Sequence, residues 1–438
     1  MTAQLMLSLS ILVVLHEMGH FAPARWFGCR VEKFYLFFDP YFSLFKKKIG
    51  ETEWGIGWLP LGGYVKISGM VDESMDMDQL EGPPQPWEFR SKPAWQRLII
   101  MLGGVTVNFI LGFAIFAGML WYWGTEYLPT ANVPQGIYAD SLGQAYGLRT
   151  GDVVLGIDTI DLPKFGDRYV KNEILLRGAR DIRVRRDGRE TIVSIPDSLQ
   201  RKLTSKEYQR LPLFSLPITP RVDTLLPGQP AIEAGVQKGD IITAIDGIPT
   251  PYFQDVTRAL ARTSGDEIAL TVDRDGKTER LSVPLTEDRR IGFGPFPRTQ
   301  FEYVTEEYSL AESIPAGIRD GIEQIRGQIN AFGQIFEGRI DARDSVGSVF
   351  TIGQAFGGTW DWYRFWRLTG LLSLILAIMN LLPIPALDGG HVMFLLYEVV
   401  TGRKPGDKFL QYATTAGAIL LMTFMGLVLL NDVIKVLS

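Results

Sequence analysis

Three residues that could bind a metal and move a proton lie inside one apolar stretch near the start of the chain. The stretch from Leu5 to Phe27 is long enough to cross a bilayer as a helix, yet it contains His16, Glu17 and His20. Ionisable groups are costly inside a membrane and are kept there mainly for chemistry or ion transport. Their order is HExxH, which on a helix points both imidazoles at one cation and places Glu17 as base for a water that the cation activates. The alternative, a polar patch on a buried helix, requires this spacing to arise by chance among only three histidines in 438 residues.

A metal bound this way needs a third protein ligand from another apolar segment. Zinc commonly takes three protein ligands and keeps one position for water. The stretch NLLPIPALDGGH, residues 380–391, supplies Asp388 and His391, and its prolines and glycines let the backbone approach a metal closely. A carboxylate would reduce the charge of the ion inside a membrane, which favours Asp388, although His391 competes by chemistry alone. Two histidines and a carboxylate can also hold other divalent ions.

Composition indicates a protein that is part membrane-embedded and part soluble. The chain is 46% hydrophobic and 21% charged with a formal net charge of −5, and its mean hydropathy is +0.08. It has no basic cluster with interleaved aromatic residues, which gives no support to nucleic-acid binding. Its single cysteine, Cys29, excludes an internal disulfide and is interpreted as a small apolar residue at a membrane edge.

Four apolar segments predict transmembrane helices at 1–27, 97–123, 362–384 and 411–431. The first lacks a basic region and a cleavage site typical of a signal peptide, so it is expected to remain attached. Lysine and arginine concentrate in 28–96 and around 403–408, which predicts that these loops are cytoplasmic. Residues 124–360 and both termini are then expected outside.

The stretch WGIGWLPLGGYVKISGM, residues 54–70, predicts a β-hairpin that dips into the bilayer from the 28–96 region. Gly62 and Gly63 suit a turn between its strands. An open strand edge in a membrane needs a partner, and an extended substrate could supply one, so Gly62, Gly63 and Tyr64 are candidate substrate contacts. A surface hairpin without a substrate role is the alternative.

The central part of the chain contains an internal repeat. Residues 147–160 recur as residues 235–248 with the pattern GxxxGDhhxxIDxI, and each copy is followed by a helical stretch and an Asp-Gly hairpin. Two small domains are therefore expected, at 126–215 and 216–297. The pattern resembles bacterial PDZ domains, which implies a groove for an extended peptide or carboxy terminus. A spacer or size filter without a peptide ligand is the alternative. An amphipathic helical segment follows at 301–345, suited to the outer membrane face or to packing against other domains.

The motifs together resemble the site-2 protease family over essentially the whole chain. They are HExxH in the first span, PLGGYVK after it, NxxPxPxLDGGH in the third span and the paired repeats between spans two and three; LGGVTVN, ending at Asn108, resembles the family's second-span motif. The resemblance implies that His16, His20 and Asp388 hold Zn²⁺ and that His391 does not. It implies general base and acid chemistry for Glu17, and contact with substrate or the developing oxyanion for Asn380. Phe37-Phe38-Asp39 stands where the family has a Gly-aromatic-Gly element.

The expected fold is a multi-pass α-helical membrane protein of about four transmembrane helices, with a membrane-associated β-hairpin and two tandem extracytoplasmic PDZ domains of α+β type. The resemblance implies an endopeptidase of the bacterial inner membrane that cuts within transmembrane segments of single-span substrates, such as anti-sigma factors or remnant signal peptides. The PDZ domains would gate entry. A non-enzymatic PDZ scaffold with a degenerate metal site is one rival. A metal transporter is another, disfavoured because spans two and four lack further ionisable residues.

Overall fold

The computed structural model divides the chain into two compact units. One unit comprises Met1–Gly124 and Glu307–Ser438, and the other comprises Thr125–Glu306. The structure describes residues 2–60, 62–70, 83–203, 208, 211–336 and 349–437. Residues 61 and 71–82 of the predicted hairpin region, 204–207 and 209–210 of the first predicted PDZ domain, and 337–345 of the predicted amphipathic segment lie outside the described residues.

Within the described residues, three helices are long and apolar enough to cross a membrane. They are Thr2–Trp26, Ala94–Trp123 and Trp362–Leu381, called here the first, second and third span. The first two spans meet backbone to backbone, since a Cβ added to Gly103 would lie 1.9 Å from the Gly19 carbonyl oxygen. Small residues permit such close crossings in membranes. The Ser373 hydroxyl donates to the Asn108 carbonyl over 2.7 Å and ties the third span to the second.

The fourth predicted span falls in the helix Asp407–Leu437. Its apolar part, Tyr412–Val428, is shorter than the other three spans. A Cβ on Gly417 of this helix would lie 1.8 Å from the Pro385 carbonyl oxygen, so the helix rests directly on the backbone of the LPIPALDGG turn. The helix thereby supports the segment that precedes Asp388.

A four-stranded sheet follows the first span, with strands β1 (Val31–Leu36), β2 (Phe38–Ile49), β3 (Thr52–Leu59) and β4 (Tyr64–Ile67) in the order β2-β3-β1-β4. The hairpin predicted at Gly62-Gly63 was wrong in its pairing: β3 and β4 are not neighbours, because β1 lies between them. The hairpin is instead β2–β3. Strand β1, in which Phe34 is 4% and Tyr35 0% exposed, takes an inner position in the sheet.

The amphipathic helix Leu310–Phe336 packs against the second span through its glycines. A Cβ on Gly317 would lie 2.4 Å from the Ala117 nitrogen, and one on Gly321 would lie 2.5 Å from the Phe113 ring. Its isoleucine stripe faces away, since Ile314, Ile318, Ile322 and Ile329 are 38–54% exposed. Two further helices in the part of this unit that the structure describes are Val349–Ala355 and Asp388–Thr401, the latter called here the Asp388 helix.

The second unit contains two repeats with the same strand order. The first has the sheet strands Val153–Ile157, Ile160–Asp161, Asp181–Arg186 and Arg189–Ser194, and the second has Ile241–Ile245, Ile248–Pro249, Glu267–Arg274 and Lys277–Pro284. Each sheet carries a helix, Asp167–Arg177 or Phe253–Arg262. Shorter helices are Ser141–Ala145, Asp197–Leu203 and Pro230–Glu233. Three two-stranded ladders pair Tyr138–Ala139 with Phe214–Ser215, Thr224–Leu225 with Phe293–Gly294, and Thr125–Tyr127 with Val304–Glu306.

The Gly-Asp pair of the repeated motif has the same structural role in both repeats. Asp152 is 1% exposed and accepts from Arg186 Nε and Nη2, each over 2.7 Å. Asp240, also 1% exposed, accepts from Arg274 Nε over 2.8 Å and Nη2 over 2.7 Å. A guanidinium group that donates two hydrogen bonds provides a partner for both oxygens of a buried carboxylate. Each pair therefore links the start of one strand to the end of another. The repeat in the sequence is therefore a repeat of structure.

Candidate metal centre

The first span places two imidazoles on one face, as the HExxH spacing requires. The Nε2 atoms of His16 and His20 lie 3.3 Å apart. Asp388 Oδ2 lies 3.3 Å from each of these nitrogens. Within the described part of the chain, His16, His20 and Asp388 form the group of His, Cys, Asp and Glu side chains close enough to share one ion, with ligand atoms within 4.8 Å of one another. His391 is not part of this group.

Asp388 reaches the imidazoles because the chain turns sharply after the third span. That span ends at Leu381, and Asp388 is the first residue of the next helix. A Cβ on Gly389 would lie 2.2 Å from the Leu382 carbonyl oxygen, and one on Gly390 would lie 2.5 Å from the Ile384 carbonyl oxygen. The two glycines are thus required for the helix to start this close to the turn.

The cluster brings two imidazole nitrogens and one carboxylate oxygen to a common centre. Asp388 Oδ2 is buried and has no hydrogen-bond partner among the described residues. The His20 Nδ1 position lies 2.8 Å from the Ile100 carbonyl oxygen, an acceptor that holds the ring proton on Nδ1 and turns the Nε2 lone pair towards the cluster. An orphaned carboxylate oxygen facing two imidazole nitrogens fits a divalent cation, and a set of two histidines and one carboxylate fits zinc with an open position.

Gly104 of the second span forms one wall of the cluster. A Cβ at this position would lie 2.3 Å from His20 Nε2 and 2.6 Å from His16 Cε1. Sequence reasoning did not single out Gly104 or the Ile100 carbonyl. The adjacent glycines Gly103 and Gly104 within an apolar span were the available signal, because such a pair marks close backbone contact.

Glu17 lies beside the cluster and against the sheet. Its carboxylate accepts a hydrogen bond from the Val65 backbone N–H of β4 and interacts electrostatically with all three clustered residues. The backbone at Gly63 is close to the same helix: a Cβ there would lie 2.5 Å from Val13 Cγ1 and 3.6 Å from Glu17 Cγ. The glutamate is therefore held between the metal-binding face and an edge strand of the sheet.

Asn380 points its amide at the same cluster from the last turn of the third span. Its Nδ2 lies 3.3 Å from His16 Nε2. An amide in this place can donate to an oxygen bound next to the imidazoles. The structure thus brings five of the sequence-predicted residues together: His16, Glu17, His20, Asn380 and Asp388.

The remaining candidates, Gly62, Gly63 and Tyr64, lie at the β4 end of the sheet. Gly62 has a φ of +152° and Gly63 contacts the first span. The Tyr64 hydroxyl donates to Asp39 Oδ1 over 2.9 Å, and its ring stacks on Tyr35 with centroids 5.3 Å apart. The side chain of Tyr64 therefore belongs to the sheet. Gly63 borders the site, whereas Gly62 lies against the Phe38 ring.

The Phe37-Phe38-Asp39 segment has a conformation usual for glycine although it contains none. Phe37 has a φ of +67°. Asp39 accepts hydrogen bonds from Ser43 Oγ over 2.9 Å and from Tyr64. Both hydroxyl contacts fix the turn into β2.

Helices that cross a membrane, together with a buried two-histidine, one-aspartate cluster and an adjacent glutamate, define the class of membrane-embedded metallopeptidases. The sequence matches Peptidase family M50 over residues 4–424, and the chain belongs to this family, the site-2 proteases. It is an integral membrane protein and a zinc metalloprotease of the site-2 type.

Several relatives are similar over nearly their whole length. The regulator of sigma-E protease RseP of Escherichia coli K12 is 28% identical over 471 residues, covering 98% of this chain and 97% of the relative. The regulator of sigma E protease of Salmonella typhi is 28% identical over 470 residues with the same coverage, 98% and 97%. A Neisseria meningitidis protein whose name proposes a zinc metalloprotease is 26% identical over 447 residues, covering 98% of this chain and 97% of the relative.

Proposed function

We propose that this protein cleaves peptide bonds within the transmembrane segments of single-span proteins, with His16, His20 and Asp388 as zinc ligands. The observation that carries the proposal is the position of Glu17, which lies beside a buried cluster of metal-ligating atoms and is hydrogen-bonded to the edge strand β4. A catalytic base, a metal-binding face and a strand edge are thus adjacent within a bundle of membrane helices.

The chain's own residues account for the proton movements of peptide hydrolysis. A zinc ion held by the three ligands would supply a Lewis acid that acidifies water and polarises the scissile carbonyl. Glu17 takes the proton from the attacking water as the new C–O bond forms, and returns it to the leaving nitrogen as the C–N bond breaks. The products are a carboxylic acid and an amine, which together carry both protons of the water, and Glu17 ends in its starting state.

Asn380 is assigned to the substrate carbonyl. Its amide nitrogen lies 3.3 Å from His16 Nε2, on the rim of the cluster. A donor aimed at the place where negative charge develops stabilises the tetrahedral stage of acyl transfer.

The substrate is expected to bind as an extended strand. A helix satisfies its own backbone groups and shields its carbonyls, so a transmembrane segment has to unwind before its peptide bond can be attacked. Unwound backbone needs new hydrogen-bond partners, and the strand β4, which pairs with β1, passes next to Glu17, so substrate backbone is proposed to pair there.

The two repeats are proposed to act as PDZ domains that select substrates outside the membrane. The sequence pattern and the duplicated strand order support this assignment. The names of the relatives concern sigma-E regulation, which makes anti-sigma factors, along with remnant signal peptides, the proposed substrates in a bacterial inner membrane. By the distribution of lysine and arginine, the repeats lie on the extracytoplasmic side.

Cleavage of a helix-destabilised single-span substrate in liposomes tests the proposal, with bound zinc measured in the same samples. Glu17→Gln keeps the shape of the side chain but cannot accept the proton, so cleavage is expected to fall about 10²–10⁴-fold while zinc stays bound. Equal cleavage by Glu17→Gln, or no cleavage by the wild type of any of several such substrates, would favour a non-enzymatic scaffold. Zinc flux across the liposome without proteolysis would favour a transporter.

A second experiment tests the filtering role. Thr125–Tyr127 and Val304–Glu306 pair with each other, so the two chain ends of the repeat region are adjacent. Replacing residues 128–303 by a short Gly-Ser turn therefore removes both repeats and leaves a hairpin. Cleavage of substrates that still carry a folded outer domain is expected to rise relative to trimmed substrates. An unchanged ratio would contradict the filter.

A further inference from the structure

Asn108 of the second span is a fully buried polar residue next to the metal cluster. Its side chain is 0% exposed, and its Nδ2 lies 3.1 Å from Nδ1 of His16. Its Oδ1 is buried without a hydrogen-bond partner in the described part of the chain. A buried amide oxygen left unpaired costs about 1–3 kcal/mol, so the arrangement needs an explanation.

The protonation of His16 supplies that explanation. A neutral imidazole carries one proton, and a ring that binds metal through Nε2 must carry it on Nδ1. Nδ1–H then requires an acceptor, whereas an amide NH₂ facing it would place donor against donor. Amide oxygen and nitrogen have nearly the same shape, and turning the amide by 180° brings Oδ1 to Nδ1. In the observed orientation Oδ1 has no hydrogen-bond partner within the described residues, so the contact to His16 is the interaction that favours one orientation over the other.

We infer that Asn108 is a positioning residue for His16, accepting the Nδ1 proton with Oδ1 so that Nε2 is presented to the metal; this rests on the proposed ligand role of His16. The Asn108 amide oxygen would hold the ring proton of His16 on Nδ1, as the Ile100 carbonyl oxygen does for His20. Outer hydrogen-bond partners of this kind fix the tautomer and orientation of metal-binding histidines. One imidazole is thus held by a backbone acceptor and the other by a side chain, and only the second can be removed by substitution.

The neighbouring Ser373 offers a matched control. Its hydroxyl donates to the backbone carbonyl of Asn108 over 2.7 Å and does not involve the amide. Ser373→Ala therefore weakens the same helix contact, between the second and third spans, without changing the partner of His16. A purely structural role of Asn108 would make the two positions behave alike.

The test measures zinc affinity of the full chain in detergent by competition with a chromophoric chelator, together with the absorption spectrum of the Co²⁺-substituted protein. Asn108→Leu, similar in size and without an acceptor, is expected to weaken zinc binding about 10–100-fold and to alter the Co²⁺ spectrum. Asn108→Asp, which keeps an acceptor at the same place, is expected to remain within a few-fold of the wild type with an unaltered spectrum. Ser373→Ala is expected to match the wild type in both readouts.

Wild-type affinity in Asn108→Leu would overturn the inference, as would an equal loss in Asn108→Asp and Asn108→Leu, or an equal loss in Ser373→Ala. If Asn108→Leu does not fold, the Asp and Ala variants still decide between these outcomes. Failure of the underlying proposal looks different: zinc would then bind equally well to the wild type and to His16→Ala.

Discussion

The metal cluster and the Asp–Arg pairs of the repeats are both buried groups of charged or chargeable side chains, but they are built in opposite ways. At Asp152 and Asp240 a carboxylate meets a guanidinium fork over 2.7–2.8 Å, so every acceptor faces a donor. At Asp388 the carboxylate faces two imidazole nitrogens at 3.3 Å, and its Oδ2 has no hydrogen-bond partner among the described residues.

The difference separates a site that stabilises the fold from one that binds a ligand. Donor–acceptor pairs satisfy one another and contribute to folding without any other molecule. Ligand atoms gathered around a common centre bind a cation, and the free energy of that binding then adds to the stability of the folded chain. Substitutions at the metal cluster should therefore change metal binding, whereas substitutions at the Asp–Arg pairs should change the stability of the repeats.

The largest effect is expected at Asp388. Asp388→Asn removes a charged ligand, so zinc affinity should fall by more than the about 100-fold typical of losing an outer partner. Added zinc should raise the unfolding temperature of the variant less than that of the wild type, because less zinc is bound. Chelator competition and thermal unfolding with and without zinc measure both quantities.

His391→Gln is the control for Asp388→Asn, since His391 lies in the same helix but outside the cluster. It should keep wild-type zinc affinity. Loss of zinc in His391→Gln with retention in Asp388→Asn would exchange the roles of these two residues.

The next largest effect is expected at Asp152. Asp152→Ala leaves Arg186 without its partner and should destabilise the first repeat by about 3 kcal/mol, near the lower end for a broken buried pair because Arg186 is 19% exposed and can reach water. Zinc affinity should not change. Faster hydrogen–deuterium exchange in residues 181–194 of the full chain reports the loss.

Asp197→Ala serves as the matched surface control. Asp197 is 68% exposed in its ion pair with Arg180. Its removal should change the opening free energy obtained from hydrogen exchange by no more than about 1 kcal/mol. Equal effects of Asp152→Ala and Asp197→Ala would show that burial does not distinguish the pairs.

The smallest effect concerns the response of the second repeat to acid. Burial alone would raise the pKa of Asp240, but the hydrogen bonds from Arg274 and from the Gln237 N–H outweigh it and lower the pKa. A carboxylate whose pKa is lower in the folded state stabilises the fold above its unfolded pKa, and this contribution is lost as the pH falls through the folded value. The protection of the backbone amides of residues 267–284 against hydrogen exchange should therefore decrease below about pH 4.

Asp240→Asn removes the titrating group from this comparison. Its protection, corrected for intrinsic exchange rates, should be lower than that of the wild type at pH 6 and should vary less between pH 6 and pH 3. A wild-type profile as flat as that of Asp240→Asn would contradict the assignment of the acid response to this pair.

The sequence predicted those features that depend on residues close together in the chain. The spacing of His16 and His20 sets a shared helix face wherever the helix forms, and the duplicated Gly-Asp motif indicated two similar folds. Asp388 was preferred over His391 by a charge argument and by the family resemblance, and the structure places Asp388 in the cluster.

Features that depend on packing between distant segments could not be obtained in this way. The pairing of β4 with β1 depends on which strand is most buried in the assembled sheet, and the Val65 contact to Glu17 follows from that pairing. The role of Gly104 as a wall of the cluster depends on how the first two spans cross. The residue pattern within a single segment does not indicate which distant segment it will contact.

The contact between Gly19 and Gly103 also limits how the first and second spans can move. With no side chain on either residue the two backbones interlock, since each added Cβ would lie within 2.5 Å of the opposite carbonyl oxygen. An axial slip of the first span by about one helical turn would bring the side chain of Leu15 or Pro23 into the space that now holds bare backbone. The close crossing therefore opposes sliding of the first span along the second, and an opening that admits a substrate is expected to involve elements outside this contact.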